Sequence, residues 1–340
     1  MSNTLYRKYR PANFDELIGQ DLIVNLLSSS ISEQNPAHAY LFCGSRGTGK
    51  TTTARIFARA LGISDEDIVE IDAASYRGID DIRTLRDSVH TLPFSSPYRI
   101  YIIDEVHMLT AEAFNALLKT LEEPPTHILF ILATTDAHRV PETIVSRCQT
   151  CNFTKPDITT LANTIKRVAD GEDIVLDAES MRLIAIYGDG SYRNALVALQ
   201  KVIAVVEGEK INSDLTSSVL GIPPLGLIIE FCNACVSGDP AGLAALSQMR
   251  DNGYEEKYFL DTMVDLVRDT LLLRQGIGIA DTQEKYSDVN FQKIKEMSND
   301  NAVNSKFLLR LLEQYEVMNM AASHPFLAAE LLILERINEK

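Results

Sequence analysis

"GSRGTGKT", residues 44–51, is the stretch on which the fold turns. It follows the apolar run "AYLFC" (39–43) and opens the helical stretch "KTTTARIFARAL" (50–61). A phosphate group needs N–H donors at close range, and glycines let a backbone come that near. Gly44, Ser45, Arg46, Gly47, Thr48 and Gly49 therefore read as a phosphate-binding loop. Lys50 can reach the outer phosphates of a nucleotide such as ATP, and the Thr51 hydroxyl can ligate Mg²⁺. The competing reading is a chance glycine-rich turn, and a strand before it with a helix after it argues against that.

Outward from this loop, "IVEID" (68–72), "RIYIID" (99–104) and "HILFILATT" (127–135) are further short apolar runs bounded by polar or Gly/Pro breaks. Each reads as a buried strand. Helical stretches lie between them, at 80–90 and 111–123. The expected class is α/β, a parallel sheet covered on both faces. The run "IYIIDEVH" delivers Asp104 and Glu105 to the carboxyl end of a strand, where ligands of open α/β sheets sit. Asp104 is the expected Mg²⁺ partner and Glu105 the candidate base for a water facing the γ-phosphate. Thr134 and Thr135 end the next strand, where a hydroxyl could hold that water, although threonine is also a common strand residue.

Beyond "TKPD" (154–157) the strand signal fades, and "GIPPLG" (221–226) is a breaker cluster. Three segments are expected: a nucleotide-binding domain at 1–154, a helical lid at 155–220 and an all-α segment at 221–340. In the last, Phe259, Met263, Leu266 and Thr270 share one helix face, and Pro325 suits the first turn of the closing helix.

Composition narrows the class. With 340 residues, 46% hydrophobic and 23% charged, the chain reads as a globular protein of more than one domain, with no apolar run of membrane-span or signal-peptide length. A cytoplasmic location is expected. A net charge of −15 argues against a whole-molecule electrostatic grip on nucleic acid, though not against a local one. Five cysteines, an odd number, favour free thiols. Cys148 and Cys151 with Cys232 and Cys235 match the paired spacing of a zinc site, but the second pair sits at i, i+3 in an apolar helix, as core residues do.

"LYRKYRPANFDELIGQ" at the start, the phosphate loop, "IDEVHMLTAEAFNALLKTLEEPP", "LATTD", "SRC" and "GSYRNAL" occur in the order found in clamp loader ATPases of the AAA+ superfamily. The chain resembles that family, most of all its bacterial gamma/tau branch, densely through about residue 200 and more weakly to the end. The resemblance implies an AAA+ domain, a small helical lid and a helical collar that joins subunits in a five-membered ring. It also implies ATP hydrolysis with Mg²⁺, coupled to loading a sliding clamp onto primer-template DNA. By it, Thr135 looks like sensor 1, Arg147 of "SRC" like the arginine finger reaching a neighbour's ATP, and Arg193 of "GSYRNAL" like sensor 2. Tyr6, Arg7, Arg10 and Pro11, with Ile18, resemble the adenine-side wall. Gamma/tau members usually carry a four-cysteine zinc module between the phosphate-loop helix and the next strand. Here "ALGISDEDIVEIDAAS" runs across that position, so no metal but Mg²⁺ is expected. No counterpart of the long tau extension follows the expected collar.

"AASYRGIDDIRTL" puts Arg77 and Gly78 before a helix whose amino end offers free amides to a phosphate, and in clamp loaders this loop faces DNA. Lys119 is a weaker DNA candidate, able instead to pair with Glu122 or Glu123. Three alternatives compete: a branch-migration helicase, which usually adds a winged-helix domain; a two-lobed helicase, which needs a second nucleotide fold; and a non-catalytic ring scaffold. The presence of Lys50, Thr51, Asp104 and Glu105 disfavours the last.

Overall fold

Contacts divide the chain into two compact units, residues 1–172 with 188–200 and residues 173–187 with 201–340. The structure is a computed structural model that describes residues 4–76, 78–205, 211–286, 288–320 and 323–338. The three segments expected from sequence cut the chain differently, since 155–172 and 188–200 pack with the first unit.

The first unit is built on five parallel strands: β1 (Ala39–Cys43), β2 (Ile68–Asp72), β3 (Arg99–Asp104), β4 (Ile128–Thr134) and β5 (Gln149–Asn152). Their order is β2-β3-β4-β1-β5. Four of them lie where the apolar runs put them. The fifth carries no such run, because "QTCN" pairs only with β1 at the sheet edge and buries Cys151 alone.

Side chains alternate across the sheet. Tyr40, Phe42, Ile100, Ile102 and Ile131 meet Ile23 and Leu27 of helix Asp21–Ser32, and Ala54 and Phe57 of helix Lys50–Ala60. On the opposite face Leu41, Tyr101, Ile103, Phe130 and Leu132 meet Ile82 and Leu85 of helix Ile79–Ser88, and Phe114 and Leu117 of helix Ala111–Glu122. Each large apolar side chain buried in this way contributes about 1.5–3 kcal/mol. The strand ends are consequently a stiff base for the loops above them.

The run from helix Lys50–Ala60 to β2 is short and ends in a buried carboxylate. Asp67 accepts backbone N–H bonds from Phe94 (2.7 Å), Ser95 (3.2 Å) and Ser96 (3.2 Å). Burial pushes its carboxyl up, but these bonds and one from the Ser96 side chain outweigh that and hold it below its ordinary value. The loop so fixed displays Leu92 and Phe94 to solvent.

The second unit is helical. Helices Leu225–Ser237, Glu256–Arg274, Asp288–Met297, Ser305–Met320 and Leu327–Asn338 share a core that includes Phe231, Phe259, Leu266, Ile294, Leu311 and Phe326. Phe259, Met263, Leu266 and Thr270 are all buried, as their spacing predicts. Pro325 is not in the first turn of the last helix, which starts at Leu327. Phe326 intervenes in a left-handed conformation (φ 66°) and buries its ring against Phe259, 5.6 Å between centroids, so packing sets the helix start. Cys232 and Cys235 lie in the same apolar core, and burial pushes the Cys232 thiol up to about 12. Among the described residues no single helix is long and apolar enough to cross a membrane.

Candidate nucleotide-binding and active site

The carboxyl ends of β1, β2 and β3 converge on one cavity of about 980 Å³, all of whose walls belong to the first unit, while Thr135, at the end of β4, lies behind that lining and reaches it only through Glu105. From β1 the chain enters the phosphate loop, which only glycine can follow at two points. A Cβ on Gly44 (φ +152°) would stand 2.7 Å from the Phe153 carbonyl oxygen, and one on Gly47 (φ +78°) would stand 2.0 Å from Ser191 Oγ. The Gly47 carbonyl also accepts the Tyr192 N–H at 3.1 Å, so the loop is tied to "GSYRNAL".

Lys50 is buried, and its Nζ donates to the carbonyls of Gly44 (2.7 Å) and Ser45 (2.9 Å). Burial lowers its pKa, while Glu105 and Asp104 pull it back. Thr48 turns its hydroxyl inward to the Ser45 carbonyl, 2.9 Å. Although β4 lies between β1 and β3, Thr51 Oγ1 donates to Asp104 Oδ2 at 2.8 Å. These two hard oxygens fit Mg²⁺, which usually takes one or two protein oxygens and fills its octahedron with water and phosphate.

Glu105 has a left-handed backbone (φ 50°), rare for this residue type. Its Oε2 accepts the Thr135 hydroxyl at 2.9 Å. The two threonines therefore separate: Thr135 joins Glu105, while Thr134 is fully buried, 3.0 Å from His107 Nδ1, and accepts the Asp136 N–H at 3.0 Å.

Tyr6, Arg7, Arg10, Pro11 and Ile18 line the same cavity, as do Arg46, Gly47, Thr48 and Gly49 beside Lys50 and Thr51. Gly44 and Ser45 lie behind the lining and serve through their carbonyls. Arg193 reaches the cavity, its guanidinium 5.8 Å from the Tyr6 ring centre, with Arg7 at 5.7 Å. Arg10 Nε donates to Thr52 Oγ1 at 2.9 Å; burial, then the neighbouring Arg55, lowers its pKa. Arg7, Arg10, Arg46, Lys50, Arg55, Arg167 and Arg193 make the lining strongly cationic in a chain of net charge −15, against Glu16, Asp72, Asp104 and Glu105.

Sequence reasoning missed several members. Tyr192 donates its hydroxyl to the Ile18 carbonyl at 2.8 Å, and burial pushes its phenol up to about 12. Its place beside Arg193 was the available signal. Ser191, Thr52 and Arg167 carried none.

Three residues lie elsewhere. Arg147 is not in the cavity wall: its Nη2 bonds Glu122 Oε1 and its Nη1 the Thr143 carbonyl, each at 2.6 Å. Gly78 immediately precedes helix Ile79–Ser88 and accepts the Ile82 N–H at 3.3 Å, whereas Arg77 lies outside the described residues. Lys119 is exposed and makes no ion pair among the described residues, its expected partner Glu122 being held by Arg147.

The chain is similar to DNA polymerase III subunit tau of Bacillus subtilis, 36% identical over 315 residues that are 86% of this chain and 56% of that protein. It is also 32% identical to DNA polymerase III subunit gamma of Buchnera aphidicola, over 92% of this chain and 91% of that one. The chain belongs to the gamma/tau family of DNA polymerase III subunits. It spans little more than half the length of the Bacillus relative. A family model described as DNA polymerase III, delta subunit, matches residues 62–157 of this gamma/tau chain, from the turn after helix Lys50–Ala60 to the residue before helix Ile158–Gly171. Among solved structures, the Thermotoga maritima RuvB Holliday junction branch migration motor aligns with a TM-score of 0.55 at 23% identity, over 67% of this chain and 79% of that one. That likeness concerns fold alone, and it agrees with the AAA+ fold that the family resemblance implies.

Proposed function

We propose that this gamma/tau chain is an ATP-hydrolysing motor subunit of a clamp loader, which opens a sliding clamp and places it on primer-template DNA. The observation that carries the reading is the cationic cavity lined by Thr51, Asp104 and Glu105, in which Thr51 bonds Asp104 while Thr135 bonds Glu105 from behind the lining. Backbone amides, Lys50 and Arg193 hold the triphosphate, and Tyr6, Arg10, Pro11 and Ile18 flank the base. Mg²⁺ held by Thr51 and Asp104 would neutralise phosphate charge. Glu105 takes a proton from water, and Thr135 fixes the carboxylate that does so. Lys50 and Arg193 stabilise the charge that develops on the transferred phosphoryl group.

Arg147, held outside the cavity wall of its own chain, is suited to a neighbour's cavity. Such a finger supplied in trans can be worth ~10³–10⁵ in rate. The exposed Leu309, Leu312, Met320, Leu331 and Leu334 on helices Ser305–Met320 and Leu327–Asn338 support a collar that closes a five-membered ring with other clamp loader subunits. Arg77, Gly78 and Lys119 are assigned to the DNA backbone, and the site of action is the cytoplasm, where replication proteins work. The relatives at 32–36% identity are polymerase III subunits, which disfavours the branch-migration reading. Only one sheet of five strands occurs among the described residues, which disfavours a two-lobed helicase.

The test is ATP turnover per chain against protein concentration, with and without primed DNA. Specific activity rises as rings assemble and rises again with DNA, and Arg147→Ala flattens both responses. Turnover indifferent to concentration and DNA would remove the trans role of Arg147; a purified chain that binds no ATP would restore the scaffold reading.

A further inference from the structure

His107 stands in the turn Val106–Met108 directly after the acidic pair, its side chain only 9% exposed. Its Nδ1 lies 3.0 Å from Thr134 Oγ1 and 3.5 Å from Glu105 Oε2. Both neighbours can act as acceptors: Glu105 as a carboxylate, and Thr134 through a hydroxyl oxygen that already accepts the Asp136 N–H at 3.0 Å. An unprotonated Nδ1 would turn its lone pair toward the carboxylate. With the proton on Nδ1, the ring donates to Thr134 Oγ1 and faces Glu105 Oε2 with an N–H.

The consequence falls on the proposed base. Glu105 must keep a left-handed backbone, which costs about 1–2 kcal/mol for a residue with a Cβ, so something has to hold it there. Thr135 holds Oε2 from β4 through a hydroxyl at 2.9 Å, and His107 faces the same oxygen from the turn. Oε1 makes no hydrogen bond to protein among the described residues, and Glu105 lines the cavity. One hydroxyl bonded to Oε2 and an imidazole N–H facing it at 3.5 Å leave Oε1 as the proton acceptor.

We infer that His107 is a positioning residue for ATP hydrolysis: through an Nδ1–H anchored on Thr134 it orients the Glu105 carboxylate without touching nucleotide. The inference rests on the ATPase reading above. It separates His107 from Thr135, whose hydroxyl contacts the base directly.

The experiment compares His107→Ala, His107→Asn and His107→Gln in the complete chain, assembled with partner subunits where turnover requires them. The amide nitrogen of Asn occupies the place of Nδ1, whereas that of Gln occupies the place of Nε2. His107→Ala should lower kcat by about 10- to 100-fold, the scale of losing alignment at a reacting group, and leave the Kd for ATP within about twofold. His107→Asn should recover most of the loss and His107→Gln little of it. Thermal unfolding shows whether each variant is folded, and if the alanine variant is not, the Asn against Gln comparison decides. An unchanged kcat in His107→Ala, equal rates for Asn and Gln, or a Kd that weakens in step with kcat would overturn the inference. A wild-type assembly that binds ATP but never turns it over would overturn the ATPase reading itself, and this inference with it.

Discussion

Gly47→Ala is the substitution whose cost can be built from contacts. The new Cβ would sit 2.0 Å from Ser191 Oγ, 3.1 Å from Ser191 Cβ and 3.4 Å from Arg193 Cβ. A backbone at φ +78° costs a residue with a Cβ about 1–2 kcal/mol. Ser191 can escape only by turning its hydroxyl away, which gives up the bond it accepts from the Asn194 N–H (3.2 Å) at the start of helix Tyr192–Val205. Losing such a cap costs about 1 kcal/mol. The total of about 2–3 kcal/mol falls on the phosphate loop, and at 1.4 kcal/mol per decade it weakens ATP binding about 30- to 150-fold. The assay is titration with ATP of Gly47→Ala, Ser191→Gly and the double variant. Ser191→Gly removes the obstructing atoms at a cost of only a few tenths of a kcal/mol. The double variant should therefore bind ATP about three- to fivefold more tightly than Gly47→Ala, with the backbone strain still unrelieved. Gly47→Ala binding within threefold of wild type, or a double variant no better than the single, would refute the steric account.

Removal of Arg193 by alanine deletes the cation that faces both the phosphate loop and the Tyr6 ring; ATP affinity should fall about 10- to 150-fold, the worth of one hydrogen bond to a charged group, read by the same titration. Asp67→Ala orphans three backbone N–H groups and should cost about 2–3 kcal/mol in urea unfolding at pH 7. The Asp67 carboxyl is held low in the folded state, so its stabilisation is complete above about 3.9, its unfolded value, and fades as pH falls through the lower folded value. Wild type and variant should converge only at such acid pH, and a difference that vanishes between pH 7 and 5 would assign the effect to another group. Cys232→Ser should lower stability by about 1–2 kcal/mol, because it puts a hydroxyl where only apolar side chains and a local helix carbonyl are at hand. A zinc chelator should leave the wild-type Tm unchanged; a drop would mean that these thiols hold metal.

What could be read in the chain and what could not divide along physical lines. The phosphate loop, Asp104 and Glu105 were legible because phosphate chemistry dictates residue types at fixed spacing, and because β1 and β3 are continuous apolar runs that aim those residues at one cavity. β5 was not, since an edge strand with one buried side chain leaves no hydrophobic signature. Thr134 and Thr135 were visible as a pair, but their division of labour depends on which face of β4 each hydroxyl leaves from and on what His107 and Glu105 place there. The clash that makes Gly47 obligatory comes from Ser191, and the three donors that fix Asp67 come from residues 94–96. Both are tertiary partners chosen by the fold and not by any local pattern. A ligand imposes its demands on the groups that touch it, so those groups recur in a readable motif; the groups that hold them in place answer to the packing of this particular chain. That is why the motif named Glu105 from the sequence, while His107, two residues on in the same quoted string, gained a role only once the distances to Thr134 and Glu105 were known.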